Sequence, residues 1–314
     1  MEAKLEYLKV KMEIDPERVA SELAEFLRRS MDELEREGVV LGLSGGLDSA
    51  VTAALCRRAV GAERVLALML PERDSDRVHQ EDALEVVRWL GIRSKRVDLT
   101  SALGKLGVYR LWPLSFLLPG KLKAGLVRKA YKFYEEKLGE TPFSAGLLGP
   151  REENFGAYLR RANAYYRAKH RLRMVVLYLH GELENLLVVG SANRTEYKVG
   201  FFVKHGCDHA ADAMPLLGLY KTQVRALAEH LGVPKRIMDK PPSPDILPGI
   251  VDEEVLGLPY EQLDLVLLAL DKGWGVRETA EALGLEEGKV EGVRAMRERS
   301  WHMRRVLVPS PKGD

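Results

Sequence analysis

The sequence predicts an α/β fold, a doubly wound parallel sheet carrying a helical insertion. Three observations predict it. Between residues 38 and 97, short apolar runs alternate with stretches of helical spacing, the order that gives parallel strands joined by helical crossovers. A further apolar run, Leu186-Leu187-Val188-Val189, ends in Gly190, so the sheet resumes late in the chain. The turn Gly42-Leu43-Ser44-Gly45-Gly46-Leu47-Asp48-Ser49 stands where a strand passes into a helix, the place in such a sheet where ligands are held.

Composition bounds the function. With 314 residues and 46% hydrophobic content, the chain can bury one large core or two modest ones. Lys plus Arg total 48 against 46 for Asp plus Glu, so no net field draws the protein to nucleic acid or to a membrane surface. An anionic ligand must therefore be met locally. Cys56 and Cys207 lie far apart and outside any Cys-x-x-Cys spacing, which argues against a disulfide framework or a zinc ribbon. The N-terminus lacks a signal-peptide core and no apolar run is long enough to span a bilayer, so a cytoplasmic location is expected.

The elements follow in order. Residues 1–37 are a helical lead-in: Asp15 caps, Pro16 occupies the first turn, and Val19, Leu23, Phe26, Leu27 and Leu34 recur at helical spacing. A strand is expected over 38–43, a helix from the glycine turn to about 60, a strand at Val65–Leu70, a helix around 80–90 and a strand near Ile92–Val97. Residues 103–166, rich in Leu, Lys, Arg and Tyr and broken at Pro113, Pro119, Pro142 and Pro150, form the expected helical insertion. A helix is predicted over 221–231, closed by Gly232-Val233-Pro234. Residues 240–259 are proline-dense with apolar residues interleaved, the pattern of an ordered loop or lid. Residues 260–314 are a helical tail; a pair of helices near its centre has helix-turn-helix spacing but no excess of basic residues, so packing is expected of it rather than DNA binding.

The turn dictates a ligand. A strand-to-helix turn presents unpaired backbone N–H groups, and glycines let the chain approach an anion. Neither the dinucleotide pattern G-x-G-x-x-G nor a P-loop ending in G-K-[ST] is met, because Asp48 stands where the lysine would be. A carboxylate beside a phosphate is repelled unless a divalent cation lies between them, so Asp48 predicts Mg2+, and Ser44 and Ser49 supply hydroxyl donors. The bland alternative is a tight turn with an N-capping serine or aspartate.

Ser44-Gly45-Gly46-Leu47-Asp48-Ser49 resembles the SGGxDS loop of the N-type ATP pyrophosphatases, the PP-loop superfamily with an adenine nucleotide alpha hydrolase-like fold. That resemblance implies cleavage of ATP between its α and β phosphates, AMP being left on an acceptor. Downstream, Gly190-Ser191-Ala192-Asn193-Arg194-Thr195-Glu196-Tyr197 with Gly200-Phe201-Phe202-Val203-Lys204 is similar to a block of the ammonia-dependent NAD synthetases. Leu219-Tyr220-Lys221-Thr222-Gln223-Val224-Arg225, Lys240-Pro241-Pro242-Ser243-Pro244-Asp245 and Tyr260-Glu261-Gln262-Leu263-Asp264 extend the match.

The resemblance implies one domain over 1–314 and a role for each matching position. Gly42 to Ser49, Ser191, Lys221 and Ser243 would hold ATP; Asp48 and Glu196 would share Mg2+; Asp48 and Lys221 would be catalytic. Arg171, Lys204, Asp212 and His302 would hold deamido-NAD, whose nicotinate carboxylate attacks the α-phosphorus before ammonia displaces AMP. Family members build this acceptor site at a two-fold interface, so a homodimer is expected. The SGGLDS loop starts too early to leave room for an N-terminal glutaminase, so ammonia is expected free or from a separate glutaminase.

Three departures fall on the acceptor side. Gly206-Cys207-Asp208-His209-Ala210-Ala211-Asp212 is one residue longer than the family's glycine-rich segment, Met303 replaces a lysine after His302, and the 103–166 insertion is long. Cys207, Asp208 and His209 are adjacent, so their side chains diverge and are not expected to form a metal site. The departures motivate an alternative, a related PP-loop adenylating or amide-forming enzyme with a different carboxylate or carbonyl acceptor.

Overall fold

A computed structural model describes residues 2–111, 153–207, 209–241 and 251–307, together with Gly125, Lys129 and Phe143. Four strands, β1 (Gly38–Gly42), β2 (Val65–Met69), β3 (Arg93–Arg96) and β4 (Leu186–Val189), form a parallel sheet in the order β3-β2-β1-β4. Strands β1, β2 and β4 are continuously apolar because both faces of the sheet are covered. Their side chains alternate: Val39, Leu41, Val65, Ala67, Leu187 and Val189 fill one core, and Val40, Leu66, Leu68, Leu186 and Val188 fill the other. The Arg-Ser-Lys-Arg sequence of β3 lies exposed at the sheet edge, where its charges discourage pairing with a strand of another chain.

Helices α1 (Glu2–Met12) and α2 (Pro16–Glu33) precede the sheet, and Asp15 caps α2 by accepting from Arg18 N at 3.1 Å. Between strands run α3 (Leu47–Val60), α4 (Arg77–Leu90), α5 (Thr100–Lys105) and the long α6 (Glu153–Leu183). After β4 come α7 (Arg194–Val199), α8 (Lys221–Leu231), α9 (Lys235–Met238), α10 (Asp252–Leu256), α11 (Tyr260–Asp271), α12 (Val276–Leu283) and α13 (Glu287–Arg299). Helices α2, α3 and α8 cover one face of the sheet and α6 the other, as a doubly wound fold requires. The C-terminal helices form a third cluster, in which Ala280, Val290, Val293 and Met296 pack against Leu263 and Leu267 of α11.

Within the expected insertion, α5 ends at Lys105, a 3-10 turn spans Val108–Arg110, and from Glu153 the chain is already in α6, which continues to Leu183. Apart from Gly125, Lys129 and Phe143, residues 112–152 lie outside the described residues, as do 242–250 of the proline-dense segment. No helix among the described residues is long and apolar enough to cross a membrane.

The sheet order sets the site. From β1 the chain proceeds through α3 to β2 on one side, while β4 lies on β1's other side and leads into α7. The carboxyl ends of β1 and β4 therefore open a crevice at the point where the winding reverses, the place such sheets reserve for a ligand.

Candidate active site

The glycine turn is built for close approach. Gly45 has φ +78°, and a Cβ there would lie 2.3 Å from the His79 carbonyl oxygen and 2.9 Å from Asp82 Cβ, so both backbone and packing demand glycine. Gly46 begins α3 without a side-chain cap, leaving the first-turn N–H groups to other partners. Ser44 Oγ accepts from Gly46 N at 3.2 Å and lies 3.1 Å from Ser49 Oγ, which donates to the Gly46 carbonyl at 2.9 Å. The two hydroxyls thus hold the turn's shape; donating to a phosphate means exchanging these internal bonds.

Opposite the turn, Asn193 caps α7 in a reciprocal box with Glu196, accepting from Glu196 N at 3.0 Å. Its amide Nδ2 donates to Asp48 Oδ1 at 3.1 Å, which joins the β1 and β4 sides of the crevice. Lys221, the first residue of α8, pairs through Nζ with Asp48 Oδ2 and lies 3.8 Å from Glu196 Oε1. One ammonium thus stands between the two carboxylates. Burial disfavours its charge, but Asp48, Glu196 and Asp252 outweigh that and hold Lys221 above the usual lysine range.

A buried carboxylate fixes this geometry from behind. Asp264 on α11 accepts from Thr195 Oγ1 at 2.5 Å and from Thr222 N and Oγ1 at 2.8 Å each, while Thr195 Oγ1 accepts from Lys221 N at 2.9 Å. The N-terminal ends of α7 and α8, and so Glu196 and Lys221, are tied to one another through it. Lower down, Asp271 binds Arg194, Lys198 and Arg297 at 2.9, 2.6 and 2.9 Å and accepts from Tyr220 Oη at 2.8 Å. Asp252, beside the site on α10, accepts from Tyr260 Oη at 2.9 Å; burial pushes its carboxyl up to about 6 against the pull of Lys221 and Tyr260.

Asp48, Glu196, Lys221, Thr222, Asp252 and Tyr260 line a cavity of about 300 Å3. Gly42, Leu43, Ser44, Gly46, Leu47, Asp48, Ser49, Ser191, Glu196 and Lys221 are in its wall, so ten of the sequence-derived positions converge. Gly45 lies beneath, against α4. Ser243 lies outside the described residues.

The four acceptor-side positions are elsewhere. Arg171 Nε donates to the Lys204 carbonyl at 3.2 Å, and Lys204 Nζ donates to the carbonyls of His302 and Arg305 at 2.8 and 2.6 Å, which places three of the four together outside the cavity wall. Asp212 is separate: it accepts from Tyr178 Oη at 2.8 Å and from Val188 N at 3.0 Å, satisfying the flank of β4. Met303 is buried, its sulfur 3.4 Å from where a Cβ on Gly200 would be, so this position packs the core.

Sequence reasoning gave no role to Asn193, Asp252, Tyr260 or Asp264, although three of them stand inside quoted motifs. It also missed Tyr166, His170 and Arg173, which line the cavity from α6. Their spacing, shared with Leu177, is that of one helical face, a signal that emerges once α6 is seen to run through residue 166.

The model of the family described as NAD synthase matches residues 19–107 and 151–307. Among curated proteins, the NH(3)-dependent NAD(+) synthetase of Thermotoga neapolitana is 40% identical over 285 residues, covering 91% of this chain and 93% of that one. The protein of the same name from Coprothermobacter proteolyticus is 42% identical over 262 residues, covering 83% of this chain and 86% of the other. Among solved structures, NMN synthetase from Francisella tularensis has a TM-score of 0.69 at 27% identity, covering 95% of this chain and all of that one. The glycine turn, the capped α7 and Lys221 all fall within the matched residues, and the chain belongs to the NAD synthase family.

Proposed function

We propose that this chain is an ammonia-dependent NAD synthetase: it amidates deamido-NAD to NAD with ammonia, through an adenylated carboxylate, releasing AMP and pyrophosphate. The observation that carries the reading is the buried ammonium of Lys221 between Asp48 and Glu196, at the mouth of a glycine turn and at the sheet's switch point. Two hard oxygen donors converging on one positive charge fit a divalent cation, and Asp48 and Glu196 would hold Mg2+. Bound there, Mg2+ would neutralise the β- and γ-phosphate charge.

The chain's own groups do the rest. The turn from Gly42 to Ser49 cradles the phosphates with backbone N–H groups, and Ser191 and Ser243 supply hydroxyl contacts to ATP. Lys221, kept protonated by its carboxylate neighbours, meets the negative charge that develops as pyrophosphate leaves. Asn193 and Asp264 keep Asp48, Glu196 and Lys221 in register. A carboxylate oxygen of the acceptor attacks the α-phosphorus and pyrophosphate departs. Ammonia nitrogen then attacks the acyl carbon, AMP leaves with the shared oxygen, and the surplus proton goes to solvent. Arg171, Lys204, Asp212 and His302 are assigned to the acceptor. A homodimer, a cytoplasmic location and a separate glutaminase as ammonia donor complete the reading.

A second reading keeps the ATP site and changes the acceptor. Met303 packs the core where a lysine would meet deamido-NAD, and a structural neighbour is an NMN synthetase, so the mononucleotide acid is the specific alternative. Pyrophosphate release from Mg-ATP, assayed with the dinucleotide acid or the mononucleotide acid and with or without ammonium, separates the two. Dependence on deamido-NAD with NAD formed on adding ammonium is expected; turnover of the mononucleotide acid alone selects the second reading.

A further inference from the structure

One buried carboxylate in the cavity wall has no part in this scheme. Asp252, in the first turn of α10, is 5% exposed and lines the cavity. Tyr260 Oη fixes its Oδ2 at 2.9 Å, whereas its Oδ1 is buried and has no hydrogen-bond partner among the described residues. An ionisable oxygen kept from water without a partner is costly, and its retention calls for an explanation. Tyr260 also faces Lys221: the centre of its ring is 5.4 Å from Nζ. Asp252, Tyr260 and Lys221 therefore form a row beside the Asp48 and Glu196 pair.

Lys221 is held by the same two carboxylates that would hold the divalent cation. An ammonium and a metal ion repel each other and compete for the same carboxylates, so arrival of Mg-ATP draws Lys221 away from Asp48 and Glu196. Its charge remains buried, and the phosphates it meets are in part neutralised by the cation, so the ammonium still calls for a carboxylate partner there. The third carboxylate whose field acts on Lys221 is Asp252.

We propose that Asp252 is a positioning residue that takes over as counter-ion of Lys221 when the divalent cation occupies Asp48 and Glu196, with Tyr260 orienting the carboxylate so that Oδ1 is the open acceptor. Lys221 then stays beside the phosphates with its charge compensated. Asp252 acts through Lys221 and touches neither metal nor nucleotide. This inference rests on the proposed reading of the cavity as the Mg-ATP site.

The test compares the full-length wild type with Asp252→Asn and Asp252→Ala. Three quantities are measured: affinity for Mn2+ alone, affinity for Mn2+ with α,β-methylene-ATP, and melting temperature. Nucleotide affinity is expected to fall on the order of 10- to 100-fold in both variants. Mn2+ affinity of the nucleotide-free protein should fall as well, because a cation on Asp48 and Glu196 displaces Lys221 with or without nucleotide, and Asp252→Asn should melt no lower than wild type. Tyr260→Phe, which frees the carboxylate but leaves its charge, should give a smaller fall. Unchanged nucleotide affinity overturns the proposal. So does a fall in Mn2+ affinity that persists when Asp252→Asn is combined with Lys221→Met, where no ammonium is left to compensate and Asp252 could act only as a ligand, or a melting temperature that falls in step with nucleotide affinity, which makes it structural. If wild type binds the nucleotide but makes no NAD, the proposed reaction fails while the affinity ratio between variant and wild type still decides the role of Asp252.

Discussion

Replacing Asp264 with alanine removes the acceptor on which the site is hung. Three donors lose their partner at once: Thr195 Oγ1 at 2.5 Å, and Thr222 N and Oγ1 at 2.8 Å each. Hydrogen bonds to a charged acceptor contribute about 1.5–3 kcal/mol each. Burial raises the pKa of Asp264, so part of that gain already offsets the cost of keeping the charge inside. The net loss expected from breaking such a buried network is about 3–5 kcal/mol. In a chain of this size, that corresponds to a melting temperature lower by roughly 10 °C.

The functional consequence is larger than the thermal one. Lys221 N bonds to Thr195 Oγ1, and Glu196 is the next residue along α7, so both charged groups lose their common anchor. A shift of about 1 Å in such groups costs on the order of 100-fold in rate. Calorimetric melting and initial rates of pyrophosphate release, the latter well below the variant's melting temperature, measure the two effects. A variant that melts as wild type does, or one that melts lower yet keeps full kcat/KM, refutes the reasoning that Asp264 sets the positions of Glu196 and Lys221.

Three more outcomes follow from the same geometry. Asp48→Asn should leave the fold intact and lower pyrophosphate release by at least about 1000-fold, since it removes a charge from both the cation and Lys221; a variant with wild-type release contradicts the site. Asp252→Asn should melt higher than wild type at pH 8 and alike at pH 4. The carboxyl is raised in the folded state from 3.8 to about 6, so stability is lost as pH climbs through that window, by roughly 3 kcal/mol once ionisation is complete; equal melting at both pH values contradicts it. Gly45→Ala should cost about 2–3 kcal/mol, because φ is +78° and the new Cβ would press on the His79 carbonyl. Wild-type melting there would show that the turn does not pack on α4 as described.

How much was legible in the sequence depended on whether a residue's meaning was local. The glycine turn, strands β1, β2 and β4, and helix α8 at Lys221–Leu231 are written in adjacent residues, and the strands lie within about a residue of where the apolar runs put them. Asp48, Glu196 and Lys221, far apart in the chain, were paired only through the family's ordered motifs; the sheet order then brought them together. Asp264 and Asp252 were not legible, because a carboxylate on a helix looks solvated until the helix packs against something. The face of α6 was obscured by proline breaks upstream, which drew the expected boundary to 166, inside a helix that runs to Leu183. Met303 was legible only as a missing lysine; that its side chain is buried beside Gly200 emerges from the fold.

The central claim is that this cavity activates a carboxylate by adenylation. Deamido-NAD labelled with 18O in its carboxylate, turned over with Mg-ATP and ammonium, tests it most directly by mass spectrometry of the released AMP. One labelled oxygen in the AMP phosphate, with NAD and pyrophosphate formed in equal amounts, is the result predicted here. Unlabelled AMP, or inorganic phosphate and ADP in place of AMP and pyrophosphate, would contradict it.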